Sequence, residues 1–188
     1  MAKRFASIGD AHRQFIERQR VFFHASAAPG ARVNVSPKGA DLLRVLGPRG
    51  AAYIDLTGSG NETAAHLRAD GRLTFMFCAF EGPPMILRLY GTGRVVPRGG
   101  IEYASLLAGP FGGEEPPGAR QIVVLNVDLV QTSCGYAVPY FDFRDVRPTL
   151  RRWAEAKGEE GLRAYRLEKN VASMDGLPTD LFEDASSI

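Results

Sequence analysis

The sequence predicts a mainly β (α+β) fold, a small antiparallel barrel with short helices around it. Three observations carry that expectation. About seven segments of strand length recur along the chain, divided by Gly, Pro and polar turn residues. The first four are joined by breaks far shorter than the dozen residues a parallel crossover needs, so their neighbours run antiparallel. The 188 residues, 45% apolar and 23% charged, match an ordinary soluble domain able to bury a core.

Residues 10–20 are expected to form a short helix, with Asp10 as N-cap and Ala11 and Phe15 on one face. Four strands follow, over Val21–Ala25, Arg32–Ser36, Leu42–Leu46 and Ala51–Leu56, separated by Ala28-Pro29-Gly30, Ser36-Pro37-Lys38-Gly39 and Gly47-Pro48-Arg49-Gly50. The loop Thr57-Gly58-Ser59-Gly60-Asn61-Glu62-Thr63 leads into a helix of about two turns ending near Gly71. Leu73–Cys78 and the long segment Met85–Val96 are strands, and Gly91 and Gly93 inside the second mark a bulge or bend. A short helix over 100–108, a loop from Phe111 to Gly118 and a strong strand over Gln121–Gln131 complete the barrel. Two helices, Thr149–Lys157 and Gly161–Lys169, belong to a C-terminal extension over 145–188. The tail from Asn170 has no Lys or Arg, yet it carries Val171, Met174, Leu177, Leu181 and Phe182 and is expected to pack.

A net charge of +2 gives no bulk attraction to nucleic acid or acidic membranes, so neither is an expected partner. No run nears the roughly 20 apolar residues that span a bilayer. With no signal-peptide pattern at the N-terminus, the expected location is cytoplasmic. Cys78 and Cys134 suggest neither a disulfide framework nor a zinc cluster, and Cys134 is expected to be a small buried residue. His12, His24 and His66 lack metal-ligand spacing, so no metal site is expected and each is read as an ordinary hydrogen-bonded residue.

The loop at 58–63 is the most informative stretch. Ser59 and Glu62 fit a capping box, and the glycines let backbone N–H groups approach an anion at a helix start. Ser59, Asn61 and Thr63 add hydrogen-bonding side chains. The plain alternative is a well-capped helix after a tight turn. The Gly-x-Gly-x-x-Thr pattern with Glu81 beyond it mimics a dinucleotide fingerprint, but the third glycine is missing and the flanking elements do not alternate strand and helix. In Arg32-Val33-Asn34-Val35-Ser36, period two places Arg32, Asn34 and Ser36 on one face and Val33 and Val35 on a core face. That polar face is either the solvent side or a ligand wall with Arg32 on a phosphate. Arg88, on the face of Ile86 and Tyr90, lines a pocket or lies on the surface.

Together these motifs resemble the pyridoxamine 5'-phosphate oxidase-like family of flavin-mononucleotide-binding split barrels, and within it an uncharacterised bacterial branch. The resemblance rests on Phe22-Phe23-His24-Ala25-Ser26, Arg32 to Gly39, Asp55 to Thr63, Met76-Phe77-Cys78-Ala79-Phe80, Arg88-Leu89-Tyr90-Gly91, Ser133-Cys134-Gly135-Tyr136 and Lys169 to Pro178. It implies one FMN-binding antiparallel split β-barrel domain over 1–188 with short peripheral helices. It also implies a homodimer whose interface holds FMN, and flavin hydride transfer on an unknown small molecule. The alternative from another class is a non-catalytic flavin or small-ligand binding protein. The resemblance sets Arg32 on the flavin phosphate, Asn34 and Val35 along the ring, and Thr57 at the strand end; Ser36, Ser59, Asn61, Glu62, Thr63 and Arg88 complete the cofactor-binding set. Asn61-Glu62-Thr63 stands where the oxidases carry Ser-Arg-Lys, so phosphate affinity rests on Arg32, backbone N–H groups and hydroxyls. The tail Leu181 to Ile188 lacks the substrate-holding arginine of the oxidases, so pyridoxamine phosphate oxidation itself is not expected. The apolar surplus of Phe75, Phe77, Phe80, Met85, Leu87 and Leu89 is read as interface.

Overall fold

A computed structural model describes residues 2–182; the acidic end of the tail, from Glu183, lies outside the described residues. Eight strands and four helices follow in the order β1 (Lys3–Phe5), α1 (Asp10–Arg18), β2 (Val21–Ser26), β3 (Asn34–Gly39), β4 (Leu43–Gly47), β5 (Gly50–Leu56), α2 (Glu62–Ala69), β6 (Arg72–Cys78), β7 (Ile86–Pro97), α3 (Ile101–Ala108), β8 (Ala119–Ser133) and α4 (Thr149–Lys169). All pairings are antiparallel. The sheet runs β3-β2-β6-β7-β8-β5-β4, with β1 paired to β8. The sheet curls until its first strand reaches its penultimate one: Lys38 Nζ on β3 lies 2.9 Å from Asp55 Oδ1 on β5. The architecture is the antiparallel split barrel with peripheral helices expected from the sequence.

Side-chain alternation explains the core. Phe22, Tyr53, Phe75, Phe77, Leu87, Leu89, Val123 and Leu125 fill the barrel, while Ala52, Ile54, Val96, Val124 and Phe111 pack with Tyr103 of α3 outside it. Strand β5 is thus buried on both sides, which is why Ala51–Ile54 is a continuous apolar run. Phe75, Phe77, Leu87 and Leu89 are fully buried within one chain, so the barrel interior absorbs most of the apolar surplus assigned to an interface. The expected bend in β7 is a register shift between Tyr90 and Gly91. A Cβ at Gly91 would lie 1.9 Å from the Asn126 carbonyl oxygen, so only glycine lets the strands come this close.

Four local expectations differ. The N-terminal strand β1, too short to read by periodicity, pairs Arg4 with Gln131. Strand β3 begins at Asn34, after Arg32, and its Val35 is 63% exposed, as Val33 outside it is 68%. The valines are therefore not a core face: β3 is an edge strand, and its polar side faces inward. Its edge position also accommodates Pro37, which lacks an N–H for a ladder. The two C-terminal helices adjoin, broken by Gly158 at φ 63°. Cys134 is exposed rather than buried. Among the described residues no helix is long and apolar enough to cross a membrane.

Candidate functional site

The inward side of β3 and the start of α2 converge on β2. In register, Ser36 lies opposite His24 and Asn34 opposite Ser26. Asn34 Nδ2 donates to Ser26 Oγ at 3.2 Å and to Thr63 Oγ1 at 3.1 Å, and Asn34 Oδ1 accepts from the Ser36 hydroxyl at 3.0 Å. Beneath them, Tyr53 Oη is 2.8 Å from His24 Nδ1, and Ser26 Oγ is 3.1 Å from His66 Nδ1. Burial, then the nearby Lys38 ammonium, lowers His24 to a pKa of about 3, so it is neutral at ordinary pH. His66 Nε2 is buried without a hydrogen-bond partner among the described residues.

A second, deeper network is centred on Asp55. Its carboxylate accepts from Lys38 Nζ at 2.9 Å, Arg120 Nε at 2.8 Å and Gln121 Nε2 at 2.9 Å. Burial alone would raise this carboxyl, but Arg120 and then Lys38 hold it well below the usual carboxylate range. Gln121 also donates to Asn61 Oδ1 at 2.8 Å. Arg120 Nη1 donates to the Gly60 carbonyl and to Asn170 Oδ1, each at 2.9 Å. Asn170 Nδ2 returns to the Gly58 carbonyl at 3.0 Å. From α4, Arg166 Nε donates to Thr57 Oγ1 at 2.8 Å, and Thr57 donates to the Gly118 carbonyl at 2.8 Å. The network fixes the 58–61 loop between the barrel and the C-terminal extension.

The residues singled out in the sequence thus fall into separate environments. Asn34, Ser36 and Thr63 form one cluster. Thr57 and Asn61 are buried, and their side chains serve the deeper network. Ser59 is exposed and makes no cap: the N-cap is Asn61, and Glu62 reaches the C-terminal segment instead of closing a capping box. Arg88 and Val35 lie on the outer face, three strands and one register row apart, which is about 16 Å at sheet spacing. Arg88 Nη1 donates there to Ser133 Oγ at 3.1 Å.

Arg32 and Glu62 are both engaged by one short segment, Met174-Asp175. The Arg32 backbone N–H donates to Asp175 Oδ2 at 2.8 Å, and the Arg32 guanidinium pairs with Asp175 Oδ1. Glu62 accepts the Met174 backbone N–H at 3.0 and 3.2 Å. The tail does pack, but through polar residues: Asn170, Ser173 and Thr179 are buried, whereas Met174 is exposed. Ser26, Lys38, Tyr53, Asp55, Arg120, Gln121, Arg166, Asn170 and Asp175 are among the site and network residues that the sequence reading missed. The available signal was Asp55, an acid inside an apolar strand, which demands a buried cation.

Away from this region, a cleft of about 830 Å³ lies between α1, the β6–β7 connection and residues 141–145, with Arg20, Phe80, Met85 and Phe143 in its wall. It contains none of the residues above. No group of three or more His, Cys, Asp or Glu side chains among the described residues is placed to hold a metal ion.

Comparison with known proteins agrees with the fold. The sequence model of the family "Pyridoxamine 5'-phosphate oxidase" matches residues 8–134. The pyridoxamine 5'-phosphate oxidase family protein ustO of Aspergillus flavus is 39% identical over 191 residues, covering 93% of this chain and 76% of that protein. Among solved structures, HupZ of Group A Streptococcus superposes with a TM-score of 0.52 at 17% identity, covering 65% of this chain and 91% of that one. A putative pyridoxamine 5'-phosphate oxidase from Lactobacillus delbrueckii gives a TM-score of 0.52 at 18% identity, covering 67% and 94%. At such identities the two structures speak for the fold alone. With a family match over most of its length and a relative aligned across nearly all of it, the chain belongs to the pyridoxamine 5'-phosphate oxidase family.

Proposed function

We propose that this protein binds flavin mononucleotide as a homodimer and acts as an oxidoreductase on a small molecule. The observation that carries this reading is the Asn34–Thr63 hydrogen bond of 3.1 Å, which brings the strand following Arg32 against the loop-helix element bearing Glu62. These are the two segments through which the family resemblance places the cofactor. Family membership supports the same reading.

The residues fit a flavin unequally. On the ring side, the outer face of β3, β2, β6 and β7 carries Val35, Ala25, Thr74 and Tyr90 in one register row and Pro37, Phe23, Met76 and Arg88 in the next. That mixed apolar and polar surface suits a planar heterocycle covered by a second chain. On the phosphate side, Arg32 is the cation, and it is already paired with Asp175. That carboxylate offsets part of the charge a phosphate would meet. When bound, the flavin supplies hydride transfer, while the protein supplies position, electrostatics and exclusion of water. Val35 and Arg88 would flank the ring, and Arg32, Asn34, Ser36 and Thr63 would hold the polar end.

A second copy of the chain is part of the reading. The exposed Val33 and Val35 on one edge, and Tyr136, Tyr140 and Phe141 along the extended segment after β8, are apolar surface that a two-fold partner would cover. A cytoplasmic location suits the free thiols of Cys78 and Cys134. The non-catalytic alternative is favoured by one observation: His24, the histidine nearest the cluster, is buried and neutral, so it is poorly placed for proton transfer. Protein incubated with FMN and then gel-filtered is expected to retain flavin absorbance and to run as a dimer by light scattering. Reduction of that flavin by a nicotinamide cofactor identifies the oxidoreductase; retention without reduction identifies the binding protein. A colourless monomer rules out both flavin readings and leaves a protein that binds another small ligand.

A further inference from the structure

The segment 170–180 is a loop with a fixed stem and a polar tip. The stem is held by Asn170 and Thr179, both buried: Thr179 Oγ1 donates to the Asn170 carbonyl at 2.7 Å, and the Thr179 N–H donates to Val171 O at 3.1 Å. The Ser173 N–H donates to Leu177 O at 2.8 Å, and the Gly176 N–H to Ser173 O at 3.0 Å, closing a tight turn. The tip places two consecutive residues on the candidate site, Met174 on Glu62 and Asp175 on Arg32.

We propose that Asp175 is a specificity-determining residue: its carboxylate occupies Arg32 as an internal anion and removes most of the preference for a flavin ending in phosphate over one that does not. The inference rests on the flavin reading above. Three observations support it. The Asp175 carboxylate meets Arg32 at both the backbone N–H and the guanidinium, the two donors that a phosphate oxygen would use. Glu62 lies beside the same tip, so a phosphate would meet two carboxylates and one cation. Lys38, farther along β3, and Arg120, on the Gly60 carbonyl, do not compensate, because both are bonded to the buried Asp55. A phosphate therefore meets an Arg32 whose charge Asp175 already offsets, and attraction and repulsion nearly cancel.

The test is the binding of FMN and of riboflavin, its phosphate-free form, to wild type, Asp175→Asn and Asp175→Ala, read by flavin fluorescence. Neither substitution touches the stem, and unchanged melting temperatures verify the folds. Wild type is expected to bind the two flavins within a few-fold of each other. Both variants are expected to tighten FMN about tenfold, the scale of one charge-assisted contact, with riboflavin unchanged. Equal shifts for both flavins, no shift for FMN, or a wild type that already prefers FMN by more than about tenfold overturns the assignment of Asp175 while leaving the flavin reading intact. Failure of every form to bind either flavin overturns the flavin reading and this inference with it.

Discussion

Replacing Arg120 with alanine is expected to destabilise the protein by about 3–5 kcal/mol, the usual cost of removing one partner from a buried ion pair. Both side chains are almost wholly inaccessible, 4% for Arg120 and 2% for Asp55, so the carboxylate left behind cannot turn to water. Lys38 and Gln121 remain as partners, but the Gly60 carbonyl and Asn170 lose their shared donor. Urea unfolding measures the loss. A double variant, Arg120→Met with Asp55→Leu, is expected to lose less than either single change, because it removes the buried charge altogether and leaves Lys38 able to reach solvent. A single Arg120→Ala cost below about 1 kcal/mol, the range of an exposed pair, would contradict the account of this network.

Acid should weaken the fold through His24 well before the carboxylates titrate. Its folded pKa of about 3 lies below the ordinary 6.5, so between these values the unfolded chain binds a proton at His24 that the folded chain refuses. Stability therefore falls as pH is lowered through this window, by about 1.4 kcal/mol per pH unit. From pH 6.5 to 5 the loss attributable to His24 is about 2 kcal/mol. His24→Asn, which keeps an acceptor for Tyr53, should remove that slope while leaving the part due to other groups. The comparison is urea unfolding of both proteins at the two pH values. Parallel pH dependences would show that His24 is not buried neutral.

The β-rich framework is legible in the sequence because its strands are bounded by short Gly- and Pro-containing turns, which leave antiparallel neighbours as the available arrangement. The bend at Gly91 is legible for a related reason, since a glycine inside an apolar strand has few other uses. Period two shows that Asn34 and Val35 face opposite ways, but not which way is inward. That depends on β3 being the edge strand whose polar side closes against β2 and α2, a property of the whole sheet. The apolar residues from Phe75 to Leu89 exceed one visible face for the same reason: a barrel has an interior that a linear reading cannot measure.

The site was half legible. Arg32, Asn34 and Thr63 stand out by residue type and by the family pattern, and two of the three are in direct contact. Asp55 is conspicuous in an apolar strand, yet its cation Arg120 lies 65 residues away, beyond any local pattern. Asp175 is more remote still, 143 residues from Arg32, on a tail whose apolar residues drew attention away from its polar anchors. Long-range electrostatic pairing has no sequence periodicity.

The most direct test of the central claim, that a flavin is held at the junction of the Arg32 strand and the 58–63 loop, is a fluorescence titration of FMN against wild type and Arg32→Ala. Saturable binding of one flavin per chain is expected for wild type. The variant leaves Asp175 and Glu62 without their cation, so it should bind FMN about tenfold more weakly or worse, with riboflavin unaffected. Absence of saturable binding, or equal FMN affinity for the two proteins, would contradict the account.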